Sequence, residues 1–248
     1  MKLTVIGCGD AFGSGGRLQT CFHVEDGDRQ FLIDCGATAL IGLERQGLDP
    51  NEVQAIFISH LHGDHFSGLI WWMLHAQHVT KRQQPLLIIG PAGVEARFKA
   101  AAEILFPGST KVQLRFEMLF QEFIAGAPLQ VASLSVTPFE VSHPSGAPSY
   151  ALRFALGKKT LSFTGDSEWV ESLVPAGQGA DLYIMECYAF DGPARFHMSW
   201  TTIESKLAQI GARRVLLTHM SRDMLARLDA VAGRKDVIVA EDGLVLRI

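Results

Sequence analysis

Between Ser59 and His65 the chain reads Ser-His-Leu-His-Gly-Asp-His, which places His60, His62, Asp64 and His65 within six residues. Imidazole and carboxylate groups at that density are the ligand types of a transition-metal site. In an extended segment alternate side chains share a face, so His60 and His62 can converge on one ion. Gly63 then turns the chain and redirects Asp64 and His65, which can face a second ion nearby. A paired centre of this kind clamps phosphoryl groups and activates water. The alternative is a polar turn that happens to be rich in His, and the density of ligand types weighs against it.

From this cluster onward the chain resembles the metallo-β-lactamase-fold hydrolases, which draw their remaining ligands from strand ends in the order His, Asp, His. Pro138 to Ser142 is a strand-like segment ending on His143, Thr160 to Gly165 one ending on Asp166, and Arg214 to Thr218 one ending on His219. The resemblance runs from Leu3 to Leu246. It implies an α/β fold, an αββα sandwich of two mixed β-sheets flanked by helices. It also implies that His60, His62 and His143 hold one metal, that Asp64, His65 and His219 hold the other, and that Asp166 bridges them. The cofactors are then two divalent metal ions per chain, zinc first, with manganese or iron also suited to these ligands. Taken alone, each later residue reads as a strand-end capping or surface group; their convergence after apolar runs, where α/β proteins gather site residues, selects them.

Within that family the chain is similar to the ribonuclease Z-like phosphodiesterase branch. The similarity rests on the glycine-rich segment Gly7 to Arg17, on Phe31-Leu32-Ile33-Asp34-Cys35-Gly36, and on Leu217-Thr218-His219-Met220-Ser221-Arg222. Met185-Glu186-Cys187 and Phe196-His197-Met198-Ser199 fall, in imperfect form, where the branch keeps a Glu and a His that assist proton transfer. The resemblance thus gives three catalytic residues. Asp64 orients a metal-activated hydroxide, and His197, supported by Glu186, protonates the departing alkoxide. Glu186 reads equally well as a partner that holds a ligand His in one tautomer. The tRNA-processing members carry a long arm between the His and Asp ligands, whereas only 22 residues separate His143 from Asp166 here. Cleavage of a phosphodiester in a small molecule or short oligonucleotide therefore ranks above tRNA 3′ processing. A thioester or lactone hydrolase on the same fold would share the ligands without needing Glu186 and His197. A β-lactamase is disfavoured because its site places Cys where Asp166 stands, and a non-catalytic scaffold would be expected to have lost ligands.

The elements that must position these groups alternate along the chain. Strand-like runs occur at 3–6, 21–24, 31–33, 55–58, 86–89, 131–136, 150–156, 182–185, 215–217, 237–239 and 244–246. Helical patterns run from Ala39 to Gln46, stopping at Gly47, and from Ala92 to Phe106, stopping at Pro107-Gly108; a capping box at Thr201 to Glu204 opens a third, to Ile210. Another helix after the metal loop carries Trp71 and Trp72, either of which could stack on a substrate ring or fill the core. The lead-ins to His60 and His219 echo one another, which hints at two related halves. With 248 residues, 48% of them hydrophobic, and no linker, the expectation is one domain over residues 1–248.

The partner expected from the resemblance is a phosphodiester substrate. A net charge of −4, with Lys and Arg in scattered pairs, argues against an extended nucleic-acid surface. The longest apolar run, Leu69 to Leu74, is too short to span a bilayer, and residues 1–6 carry no signal-peptide pattern, so a cytoplasmic location without membrane attachment is expected. A homodimer would fit the relatives. Cys8, Cys21, Cys35 and Cys187 form no C-x-x-C pair and read as small buried hydrophobes.

Overall fold

A computed structural model describes residues 1–231 and 233–248. The first half of the chain supplies strands β1 (Lys2–Gly7), β2 (Cys21–Asp26), β3 (Arg29–Ile33), β4 (Ala55–Phe57), β5 (Leu86–Gly90) and β6 (Met118–Glu122). It also supplies helices α1 (Ala39–Arg45), α2 (Gly63–Phe66), α3 (Gly68–His78) and α4 (Val94–Leu105). The second half adds β7 (Leu129–Val131), β8 (Leu134–Val141), β9 (Ser149–Leu156), β10 (Lys159–Phe163), β11 (Leu182–Glu186), β12 (Val215–Thr218), β13 (Val237–Val239) and β14 (Val245–Arg247). Its helices are α5 (Leu173–Gly177), α6 (Trp200–Ile210) and α7 (Arg222–Leu225).

The strands form two seven-stranded sheets, ordered β14-β1-β2-β3-β4-β5-β6 and β7-β8-β9-β10-β11-β12-β13. Read in that order, both sheets begin with three antiparallel pairings and end with three parallel ones. The central parallel strands are apolar along nearly their whole length because both of their faces are covered. β4 is Ala-Ile-Phe, buried at every position. Between the sheets lie Val5, Phe22, Phe31, Phe57, Phe154, Phe163, Ile184 and Leu216. Phe57 of one sheet meets Phe154 of the other edge to face at 5.2 Å, an arrangement that suits the charge distribution of the rings. Outside the first sheet Leu43, Trp72 and Phe98 come from α1, α3 and α4, and outside the second Leu173, Ile203 and Ile210 come from α5 and α6. The layers are therefore helix, sheet, sheet, helix, as the resemblance implies.

Several local expectations need correction. The run 131–136 is not one strand but a hairpin, with β7 ending at Val131, β8 starting at Leu134 and Ala132 between them at φ 52°. β6 is an additional strand, an edge whose side chains are only half-buried or exposed, so it lacks a strong apolar signal. α6 starts two residues early, at Trp200. Its cap is Ser199, whose hydroxyl accepts from the backbone N–H of Thr202 at 3.3 Å, rather than Thr201. The echo between the His60 and His219 lead-ins joins β4 to β12, yet the matching sheet positions pair β4 with β11 and β5 with β12. β14 returns from the end of the chain to the first sheet, pairing Lys2 with Arg247, and the Ile248 N–H donates to the Met1 carbonyl at 3.1 Å. No helix among the described residues is long and apolar enough to cross a membrane.

Candidate metal centre

The seven expected ligands gather at one end of the strands. His60 and His62 follow β4, Asp64 and His65 sit in α2, and His143, Asp166 and His219 follow β8, β10 and β12. Both sheets thus contribute, at the carboxyl ends where open parallel sheets place their sites. Two glycines permit the close packing here: a Cβ on Gly36 would come within 2.3 Å of the Asp64 carbonyl oxygen in α2, and one on Gly68, at the start of α3, within 2.2 Å of the Gly36 carbonyl oxygen. Except for half-buried His62, the seven side chains are buried.

Asp166 lies at the middle. Its Oδ2 is 3.8 Å from His60 Nε2 and 4.0 Å from His143 Nε2, and 3.2 Å from both His65 Nε2 and His219 Nε2. His62 Nδ1 and His143 Nε2 are 2.9 Å apart. Ligand atoms of His60, His62 and His143 form one group within 4.8 Å of one another, and those of Asp64, His65, Asp166 and His219 form a second. His60 Nε2 and Asp166 Oδ1 are buried without a hydrogen-bond partner. An unpaired buried polar atom costs about 1–3 kcal/mol. A cation between such atoms removes that cost, so the residues present fit a divalent-metal site.

The outer nitrogens of three imidazoles are held by other groups, which aims their Nε2 atoms inward. His65 Nδ1 meets Asp34 Oδ2 at 2.6 Å, His60 Nδ1 meets Ser59 Oγ at 3.0 Å, and His143 Nδ1 meets the Phe196 carbonyl at 2.9 Å. Asp34 also accepts from the Ser59 backbone N–H and hydroxyl, each at 2.7 Å, and so ties the His60 and His65 supports together. Sequence reasoning missed Asp34, Ser59 and the Phe196 carbonyl; the only trace is the Asp that closes the apolar run Phe31-Leu32-Ile33. Asp34 and Phe196 both adopt left-handed backbone, φ 58° and 65°, which few non-glycine residues do.

Charge follows this layout. Burial pushes the His60 imidazole well below its ordinary range and holds His143 at about 4, so both stay neutral and free to ligate. Burial would raise the Asp64 and Asp166 carboxyls, but the surrounding imidazoles outweigh it and hold both below the usual range.

Glu186 ends β11, fully buried, and accepts from the Ser167 N–H at 2.7 Å. Its two carboxylate oxygens are each 3.2 Å from His197 Nδ1. Burial pushes Glu186 up to about 7; burial opposes protonation of His197, yet bonding to Glu186 raises it. His197 packs face to face with Tyr188 at 4.8 Å and with His219 at 5.5 Å. The pair therefore sits beside the cluster, and the expected Glu186 and His197 are in contact. A cavity of about 350 Å³ opens over the site, lined by His62, Asp64, His143, Asp166, His197 and His219, with Phe12, Tyr188 and Arg195 around them. Trp71 and Trp72 do not line it. Trp72 is buried, and Trp71 packs on Phe106 at 6.0 Å.

Two mixed sheets between helices, with a His/Asp cluster at the strand ends, define a metal-dependent hydrolase of the metallo-β-lactamase fold. A family model described as "Anti-Pycsar protein Apyc1" matches residues 1–239, and the chain belongs to that family. The probable metallo-hydrolase YhfI of Bacillus subtilis (strain 168) is 28% identical over 256 residues, spanning 99% of each chain. The crystal structure of YhfI matches at a TM-score of 0.79 and 26% identity, covering 99% of this chain and 98% of that one. Human tRNase Z, short form, superposes at a TM-score of 0.82 with 23% identity, covering 100% of this chain and 99% of its own. A diphosphatase from the PhnP family superposes at 0.78 with 18% identity, covering 100% and 97%. These last two show the fold.

Proposed function

We propose that the protein hydrolyses a phosphodiester bond in a small molecule or short oligonucleotide at a centre of two divalent cations, zinc first among them. The observation that carries this reading is Asp166 Oδ2, approached within 4.0 Å by imidazoles of both ligand groups, the place of a bridging carboxylate. His60, His62 and His143 would hold one cation and Asp64, His65 and His219 the other, with Asp166 shared between them. When bound, the cations supply a water nucleophile at neutral pH and neutralise phosphate oxygens.

The chain's own groups do the rest. Asp64, kept ionised by His65, accepts a hydrogen bond from the attacking water or hydroxide and orients it. His197 donates a proton to the departing oxygen, and the Glu186 carboxylate holds the ring in place and favours its charged form. A proton donor of this kind serves an alkoxide leaving group, which is why a diester suits the site better than a thioester. Between His143 and Asp166 the chain is spent on β9, a tight turn and β10, which leaves no tRNA-gripping arm at that place.

The test is elemental analysis of the pure protein, followed by phosphodiester, thioester and lactone substrates and a tRNA precursor with a 3′ trailer. The expected result is two zinc or manganese ions per chain, cleavage of bis(p-nitrophenyl) phosphate, and little processing of the precursor. His60→Ala or Asp166→Ala should lose metal and activity together. Only trace metal after reconstitution would overturn the centre, and accurate cleavage of the precursor would overturn the choice of substrate.

A further inference from the structure

Phe12 presents its ring to solvent at the edge of the metal cavity, 83% exposed, where burial of that ring would be favourable. The segment that carries it is rigidly held. Asp10, itself buried, accepts from the Phe12 N–H at 3.2 Å and the Ser14 N–H at 2.8 Å through Oδ1, and from the Ser14 hydroxyl at 2.7 Å through Oδ2. Gly13 turns the chain in the left-handed region, at φ 65°, and donates its N–H to the Asp10 carbonyl at 3.1 Å. The base of the loop is registered to the cluster, because the Cys8 carbonyl accepts from the backbone N–H of His219 at 3.0 Å. A buried carboxylate spent on fixing a loop whose tip is an exposed aromatic ring is costly unless the ring's position matters.

The other aromatic groups of the cavity are already engaged. Tyr188 stacks on His197, and Trp71 and Trp72 lie elsewhere. Across the same cavity Arg195, the one Lys or Arg side chain among its lining residues, lies over the Phe196 ring at 4.6 Å. The cavity therefore pairs a metal-ligand floor suited to phosphate with one free aromatic face at its rim.

We propose that Phe12 is a specificity-determining residue, a stacking platform that selects phosphate esters whose organic group carries a flat unsaturated ring over those with an alkyl group. The proposal rests on the reading above only in taking the cluster as the phosphate site. Phe12 and the cluster line one cavity of about 350 Å³, so a ring stacked on Phe12 with its phosphate at the cluster would use both. A short alkyl ester leaves the rim in water.

Calorimetric titration of the zinc-reconstituted protein with thymidine 5′-monophosphate, phenyl phosphate and ethyl phosphate tests this without any turnover. The wild type should bind at least one ring-bearing ester ten-fold or more tightly than ethyl phosphate, in line with the strength of base stacking on an aromatic side chain. Preference for the nucleotide over phenyl phosphate marks a ring held away from the phosphate, and the reverse marks a ring joined directly to it. Phe12→Ala should remove the preference, Phe12→Trp should restore it, and Phe12→Leu should not, with zinc content equal in all. A wild type without preference for either ring-bearing ester, or a preference that survives in Phe12→Ala, overturns the assignment. Failure of the hydrolase reading would show separately, as intact diesters in the turnover assay.

Discussion

His197 makes its contacts with Glu186 through Nδ1, which leaves Nε2 for the proton transfer proposed above. A basic alkoxide needs that proton in the transition state and a nitrophenolate does not. His197→Ala should therefore keep its metal and lose ~10²–10⁴ in rate on an alkyl or nucleoside diester, with a much smaller loss on a p-nitrophenyl ester. Rates on the two esters, set beside metal content, decide the matter, and loss of metal would make His197 a support of the cluster instead. The protonated form is the acting one, so the rate on the alkyl diester falls as pH rises through the apparent pKa of the pair. The bond to Glu186 holds His197 above its ordinary value, against burial. Glu186→Gln removes the attracting charge, so the alkaline limb should move to lower pH; a limb that stays in place would separate Glu186 from the proton transfer. The seven clustered residues were legible because four fall in six residues and three more end apolar runs. Asp34 and Ser59 were not, because a lone Asp or Ser has no spacing to betray it and only the fold brings them beside His65 and His60.

At the scale of elements, the segment between β11 and α6 carries His197 and the Phe196 carbonyl, and α6 fixes its far end. Ser199 caps that helix, so Ser199→Ala should cost about 1 kcal/mol of stability in urea unfolding, the usual loss of a side-chain cap. Thr201→Ala, one residue into the helix, should cost clearly less. If the two were equal, the cap would contribute nothing particular. The placement of this cap shows where the sequence is ambiguous: Ser199, Thr201 and Thr202 are all capping types within four residues, and Trp200 is buried only once the sheet is beneath it. β4, β5, β11 and β12 were legible because buried parallel strands are apolar along nearly their whole length, β11 and β12 turning polar only at their last residues, Glu186 and Thr218. β6 and β7, whose faces are half-wet edges, could not announce themselves in that way. The turn at Ala132 was invisible for another reason, since alanine in the left-handed region is held there by the flanking strands and not by its own preference.

At the scale of the molecule, the cluster is a fastening between sheets, with His60, His62, Asp64 and His65 reached from the first and His143, Asp166 and His219 from the second. The two sheets have the same order of pairings, and the first obtains its outermost strand, β14, from the far end of the chain. Repetition was audible in the sequence only as a false echo, because matching sheet positions need not carry matching residues. The return of β14 has a consequence for connectivity. Joining the end to the start, where Ile248 already bonds Met1, and cutting at the exposed turn of Ala125 and Gly126 would yield a circular permutant in which each seven-stranded sheet is one uninterrupted stretch of chain. Exposed turns and adjacent termini are where such rewiring is tolerated. The permutant should fold with unchanged circular dichroism and the same zinc content as the parent, while a molten or metal-free product would mean that the order in which the strands are joined, and not only their final neighbours, is part of what this sequence encodes.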